Sequence, residues 1–215
     1  MKKIISLLLA LICVFAFVSC GEEETGADKF VKIVNSSEPT KIVTNTSYDD
    51  GETKFVGRFE TTLYGSDFEF LYSYQQYADP TTATNPDEYI QTVSGTVYYN
   101  DGLYSEDGVN WGAESPDAAA MQIKFALDAK KLGQYEISKD GKTLETVVTA
   151  EEAEAILGIA LNSTEDGVSI TITHDGKNLR GITVSYSTEY AEIVSIDTSY
   201  SYNAVVSPFE EAPQE

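Results

Sequence analysis

Residues 53–77, TKFVGRFETTLYGSDFEFLYSYQQY, show the organisation of the chain most clearly. Apolar and polar residues alternate on both sides of Gly65-Ser66, a two-residue turn signal. One face of the first half carries Phe55, Gly57, Phe59, Thr61 and Leu63, and one face of the second half carries Phe68, Phe70, Tyr72 and Tyr74. The opposite face is mostly polar, as at Glu69 and Ser73. This period of two predicts a pair of long antiparallel strands with one apolar face and one wetter face.

The same alternation continues on both sides of this hairpin. Alternation also occurs in residues 40–48 and 88–100, in residues 132–138 and 143–149 on the two sides of the Asp140-Gly141 turn, and again over residues 168–202. Asp-Gly pairs, a strong hairpin signal, begin at residues 50, 101, 107, 140, 166 and 175. Strands that short turns join usually lie side by side. The pattern therefore predicts one large antiparallel meander of about nine to eleven strands, and a sheet of that size is expected to curl into a half-barrel.

Three short segments have helical patterns instead. They are residues 29–35, 118–127 and 149–158. Asp28 is placed to cap the first, and Pro116 fits the first helical position of the second. In the third, Thr149 and Glu152 have the spacing of a capping box, and Gly158 sits where a C-terminal cap belongs. The predicted fold class is therefore mainly β, with about three short helices covering the concave face of one curved antiparallel sheet.

The first 19 residues have the pattern of a secretory leader. Two lysines precede an apolar run over residues 4–18, which is too short for a spanning helix of about 20 residues. The run closes with Phe17-Val18-Ser19-Cys20 and then turns polar. These four residues resemble a bacterial lipobox, although Phe17 stands where leucine is usual. The resemblance implies that the chain is cleaved between Ser19 and Cys20. It also implies that Cys20 carries a diacylglycerol anchor, often with palmitate chains, which holds the protein at the extracytoplasmic face of the cell membrane.

Composition limits what the remaining chain does. The whole chain has 14 basic and 35 acidic side chains and a net charge of −21, and removal of the leader with Lys2 and Lys3 takes this to −23. A nucleic-acid partner needs a basic face, so that class is excluded. Cys13 leaves with the leader and Cys20 takes the lipid, so no disulfide is expected.

The sequence offers no catalytic or metal signature. His174 is the one histidine, and its place next to an Asp-Gly pair suggests a solvated turn residue. One histidine without cysteines excludes the usual zinc ligands, and no EF-hand calcium loop, nucleotide-binding glycine motif or serine nucleophile elbow is present. We therefore expect a non-enzymatic protein without a metal or other cofactor.

The order of these parts resembles that of small Gram-positive envelope lipoproteins with the LolA/LppX-like fold. It runs from the lipobox through a short helix, long paired strands, the Tyr-Tyr-Asn-Asp-Gly turn at 98–102, a tryptophan, the Lys-Asp-Gly-Lys hairpin at 139–142 and the acidic helix at 151–157 to a Tyr-Ser-Tyr strand at 200–202. The resemblance implies an incomplete β-barrel whose hollow takes acyl chains. It divides the chain into a leader (1–19), an acidic tether (20–28), the half-barrel (29–206) and a frayed tail (207–215).

Two main hypotheses on function follow, and a third and weakest one, a glycan-active enzyme, would need a close pair of carboxylates in an open cleft. The first is a non-catalytic binder or carrier of a lipid or acylated ligand, with residues 116–128 as a lid. The residues expected to line its cavity are Phe55, Phe59, Phe68, Phe70, Tyr72, Tyr74, Trp111, Met121 and Phe125. The second is a surface-tethered module that contacts a basic protein through its acidic face. The same aromatic residues would also fill an ordinary core, so the sequence leaves open whether the hollow is filled or empty.

Overall fold

The computed structural model describes residues 25–49, 54–77, 90–161, 163, 167–189, 191 and 193–209. The predicted leader, Ser19 and Cys20 lie outside these residues, as do the turns at Asp50 and Asp166 and the loop at residues 78–87. The strands and hydrophobic clusters described below all fall within residues 25–209. The described part of the chain therefore contains a hydrophobic core.

The described chain is mainly β. The helices are α1 (Gly26–Asn35), α2 (Ala129–Leu132) and α3 (Ala150–Leu157), with a 3-10 helix, η1, at Asp117–Met121. The strands are β1 (Lys41–Asp49), β2 (Lys54–Tyr64), β3 (Asp67–Tyr77), β4 (Ile90–Asn100), β5 (Leu103–Ser105), β6 (Thr143–Val148), β7 (Val168–His174), β8 (Leu179–Tyr186) and β9 (Ile193–Ser201). None of the helices in this part of the chain is long and apolar enough to cross a membrane.

The strands form one open antiparallel sheet. Their order is β5-β4-β3-β2-β1-β9-β8-β7-β6, which confirms the predicted fold class. The sheet is two meanders rather than one, because the first and last strands pair at its centre, with Lys41 opposite Ser201 and Asp49 opposite Ile193. The edges β5 and β6 are consequently farthest apart in the sheet, although only the helical segments separate them in sequence.

The residues of one sheet face, which we call the inner face, are covered by the helices. At the seam between the meanders, the hydroxyls of Thr44 and Thr198 face each other across β1 and β9 at 2.9 Å and are buried. A buried hydroxyl needs a partner, and each of these supplies the other. The seam is therefore a polar link between two separate hydrophobic clusters.

The first cluster packs α1 and α3 onto strands β6 to β9. Phe30 of α1 and Leu157 of α3 are fully buried against inner-face side chains such as Ile170, Ile172 and Ile182. Full burial of an aliphatic or aromatic side chain contributes roughly 1.5–3 kcal/mol. This half of the inner face is a filled core.

The second cluster lies on β2 to β5 and is aromatic. Phe68, Phe70 and Val97 are buried beneath Ala118 of η1. The ring centroids of Phe68 and Tyr99 lie 5.2 Å apart, in the range of favourable aromatic pairs. η1 therefore packs on part of this half of the sheet.

The ends of two helices follow from their capping residues. Thr25, not Asp28, caps α1. Asp28 is the third residue of the helix, and its carboxylate accepts a hydrogen bond from the Thr25 backbone nitrogen. The helix thus begins within the segment expected to be tether. The capping box of Thr149 and Glu152 and the left-handed Gly158 cap of α3 are confirmed.

The expectation of a helix at residues 118–127 is wrong for most of this stretch. Only Asp117–Met121 is helical, as a 3-10 turn without a side-chain cap, and Gln122 is already in extended geometry. The backbone nitrogens of Ala126 and Asp128 donate instead to the carbonyls of Leu157 and Ile156, each at 2.9 Å. Hydrogen bonds to the end of α3 replace those of a helix.

The expected strand at residues 132–138 is also mostly absent. Asp128 caps α2 by accepting hydrogen bonds from the backbone nitrogens of Lys130 and Lys131, and Leu132 is fully buried in the first cluster. In this stretch, Ile137 alone forms a bridge, with Leu144 of β6. Leu132 is therefore buried as part of a short helix rather than of the strand that the alternating pattern predicted.

His174 is buried, which corrects the expectation of a solvated turn residue. It is 7% exposed, and its ring centroid lies 5.0 Å from that of Phe30. Its Nε2 lies 2.8 Å from the Gly141 carbonyl oxygen, and its Nδ1 accepts a hydrogen bond from the backbone nitrogen of Gly176 at 2.8 Å. A neutral ring protonated on Nε2 satisfies both contacts.

The side chain of Phe209, the last described residue, packs against the sheet, whereas residues 203–208 before it are exposed. The ring of Phe209 lies edge-on to Tyr64, Tyr98 and Trp111, with centroid distances of 5.6, 6.2 and 6.0 Å. The residues after Phe209 lie outside the described chain. Phe209 thus fixes the C-terminal segment to β2, β4 and the loop that carries Trp111.

Candidate functional site: a pocket on the inner face

A pocket of about 280 Å³ opens on the inner face. Its lining is mainly apolar. The lining residues are Val34, Asn35, Ser37, Pro39, Ile42, Ile123, Lys124, Phe125, Leu127, Leu179 and Tyr200. We call this space the inner pocket. Its walls come from the end of α1, from β1, β8 and β9, and from the segment between η1 and α2.

The α1 wall is fixed to the sheet through Ser37. The Ser37 hydroxyl donates to the Ile33 carbonyl and accepts from the Leu179 backbone nitrogen, both at 2.7 Å. The Tyr202 hydroxyl donates to the Leu179 carbonyl at 2.7 Å. These bonds tie the last turn of α1 to β8, so this wall is preformed.

The opposite wall is the segment at residues 122–128. The hydrogen bonds of Ala126 and Asp128 to the end of α3 hold it in place, and Ile123, Phe125 and Leu127 contact the first cluster. The wall also depends on close packing at Gly158, where an added Cβ would lie 2.6 Å from the Ala126 carbonyl oxygen.

Two polar groups mark the pocket. Lys124 is the charged residue among the described lining residues, and its side chain is exposed. Tyr200 is 8% exposed, and burial, with a smaller effect from neighbouring Tyr202, raises the pKa of its hydroxyl well above the ordinary value. Tyr200 is therefore a neutral side chain at pH 7.

The expected cavity residues are spread over three places. Phe125 lines the inner pocket. Phe59, Phe68, Phe70, Tyr72 and Met121 belong to the second cluster or pack against it. Phe55 and Tyr74 form a half-buried pair with ring centroids 6.3 Å apart, and Trp111 packs against Phe209. The structure therefore brings Phe125, rather than the aromatic strand faces, to the pocket.

Sequence reasoning missed most of the lining. Ile42 and Tyr200 alternate correctly onto the inner face of β1 and β9, but nothing local shows that these strands pair. Val34 follows Phe30 at helical spacing, which indicates a buried face without naming its neighbours. Lys124 gave no signal, because a lysine in an apolar segment is ordinarily solvated.

A second concavity, of about 360 Å³, lies on the outer face. Its lining residues are Arg58, Glu60, Leu71, Tyr72, Ser73, Ser94, Gly95 and Thr96, all from β2, β3 and β4. Glu60 forms ion pairs with Lys41 and Arg58 there, and these cations lower the pKa of its carboxyl although partial burial opposes the shift. We favour the inner pocket as a binding site because several elements enclose it and most of its lining residues have apolar side chains, whereas most of those around the outer concavity are polar or charged.

The described residues contain no group of three or more histidine, cysteine, aspartate and glutamate side chains placed to hold a metal ion. The inner pocket is characterised by its shape, its mainly apolar lining and the amine of Lys124. No protein-family model matches this chain, and no curated protein matches it in sequence.

Proposed function

We propose that this protein is a cell-envelope lipoprotein that binds one apolar chain of a lipid or acylated ligand in the inner pocket, without catalysis. Lipid-modified Cys20 holds it at the extracytoplasmic face of the membrane. The lipobox-like stretch at residues 17–20 supports the tether. The observation that carries the binding function is the mainly apolar pocket, most of whose apolar lining residues belong to the first cluster or pack against it.

The size of the pocket supports a single chain. Its volume of about 280 Å³ lies just below the range of roughly 300–1,000 Å³ that holds drug-sized ligands. A lipid with two acyl chains would exceed it. Burial contributes about 0.8 kcal/mol for each methylene group, which is roughly a fourfold gain in affinity per group.

Native mass spectrometry of residues 21–215, purified without detergent and incubated with mixed bacterial lipids, tests the binding function. We expect one bound apolar molecule per chain. Ile42→Trp should abolish the adduct, because Ile42 lines the pocket. Val43→Trp is the matched control, since Val43 lies next in β1 and faces the opposite side of the sheet. An adduct that survives Ile42→Trp, or a wild-type chain that binds nothing, would contradict the function.

The tether has its own test. We expect the full-length chain, expressed in a bacterium fed labelled palmitate, to carry label and to sediment with membranes. Cys20→Ala should lose the label, because it removes the thiol that carries the acyl chains. Retention of the label in the variant would rule out Cys20 as the lipidated residue.

A further inference from the structure

We propose that the ligand of the inner pocket is a single-chain amphiphile with an anionic headgroup, which the Lys124 ammonium contacts at the pocket mouth. This inference rests on the proposed function and adds the chemistry of the headgroup. A carboxylate and a phosphate share the chemistry that a lysine recognises.

The surroundings of Lys124 leave its charge available. Lys124 lines the inner pocket, and its exposed side chain makes a weak cation–π contact, with Nζ 5.3 Å from the ring centroid of Phe68 in the second cluster. The ammonium exchanges this contact for the headgroup when the ligand binds. Among the described residues, no carboxylate lies within ion-pair distance of this ammonium. In a chain with 35 acidic and 14 basic side chains, an unpaired lysine beside an apolar pocket favours an anionic ligand.

The α1 wall does not compete for a cationic headgroup. A helix C-terminus attracts cations through its unsatisfied carbonyls, but here Ser36 and Ser37 donate hydrogen bonds to the carbonyls of residues 32, 33 and 34. The Lys32 carbonyl accepts from the Ser36 backbone nitrogen at 3.0 Å, and the Ile33 carbonyl accepts from the Ser37 hydroxyl at 2.7 Å. Lys124 is left as the strongest electrostatic feature of the described lining.

The net charge of the chain does not outweigh this local contact. Charges farther away than the Debye length, about 8 Å at physiological salt, are largely screened. The Lys124 ammonium acts at contact distance, where a solvent-exposed ion pair changes affinity by up to about fivefold.

Isothermal titration of residues 21–215 with decanoate, decyl phosphate and decanol, each below its aggregation limit, tests the inference. The three probes share one alkyl chain and differ in headgroup. We expect Lys124→Gln to weaken at least one of the two anions about fivefold and to leave decanol unchanged. The anion whose affinity falls more in Lys124→Gln identifies the headgroup as carboxylate or phosphate.

Two further variants control the charge and the fold. Lys124→Arg should keep the anion affinity, because it keeps the charge. Lys130→Gln should have no effect, because Lys130 is exposed in α2 and does not line the pocket. If Lys124→Gln leaves both anions unchanged, or weakens decanol equally, the headgroup assignment is wrong while the binding function stands. If none of the probes binds to the wild type, both are wrong.

Discussion

Gly158 is the residue whose substitution separates pocket architecture from simple backbone strain. It ends α3 in the left-handed region, with φ of 67°, and Gly141 has nearly the same conformation, with φ of 72°. An alanine in that region costs roughly 1–2 kcal/mol. A Cβ at Gly141 would have open space, whereas one at Gly158 would lie 2.6 Å from the Ala126 carbonyl oxygen and 2.7 Å from the Ala126 Cβ.

We therefore expect Gly141→Ala to lower the free energy of unfolding by about 1–2 kcal/mol. Gly158→Ala should cost about 2–5 kcal/mol, because overpacking adds roughly 1–3 kcal/mol to the same backbone term. Urea unfolding followed by circular dichroism measures both as midpoint shifts at constant slope. Gly158→Ala should also weaken alkyl-chain binding, because it displaces the wall that carries Phe125 and Leu127. Equal losses for the two variants, or unchanged binding in Gly158→Ala, would refute this account of the wall.

Two further predictions concern other parts of the chain. Phe209→Ala should shift the fluorescence emission of Trp111, the chain's one tryptophan, to the red, because it removes a ring whose centroid lies 6.0 Å from that of Trp111. The control Val206→Ala, at a 91% exposed position, should leave the emission unchanged. Identical spectra for both variants would show that Phe209 is not packed against Trp111 in solution. Burial raises the pKa of Tyr200 in the folded state, so its contribution to stability is complete below its ordinary pKa of about 10 and declines as the pH rises above that value. On alkaline titration followed by circular dichroism, the Tyr200→Phe variant should lose less stability than the wild type. Equal losses in the two proteins would contradict the raised pKa of Tyr200 in the folded state.

The parts of the fold that follow from sequence are those set by local pattern. Alternation across Gly65-Ser66 gave the β2–β3 hairpin, and Tyr64 does pair with Asp67 there. The capping residues of α3 needed only the sequence from Thr149 to Gly158. In both cases the residues that make the element are its own neighbours.

The rest depends on partners far away in the chain. Apolar residues from Met121 to Leu127 fit a helix as well as an extended segment, and hydrogen bonds to the end of α3 decide between them. The contact of Phe30 with His174 and the pairing of β1 with β9 join residues more than 100 positions apart. The inner pocket lies where these distant elements meet, so no single stretch of sequence could indicate its lining.

The affinity of residues 21–215 for linear alcohols of increasing chain length tests the binding function most directly, because it measures how much alkyl chain the inner pocket takes up. Affinity should rise about fourfold with each methylene group that is buried and should level off once the pocket of about 280 Å³ is full. Ile42→Trp should show no such rise, because its indole blocks the pocket that Ile42 lines, and Val43→Trp should match the wild type. A gradual rise without a plateau, the same in all three proteins, would mean that alkyl chains bind elsewhere on the surface and would contradict the proposed function.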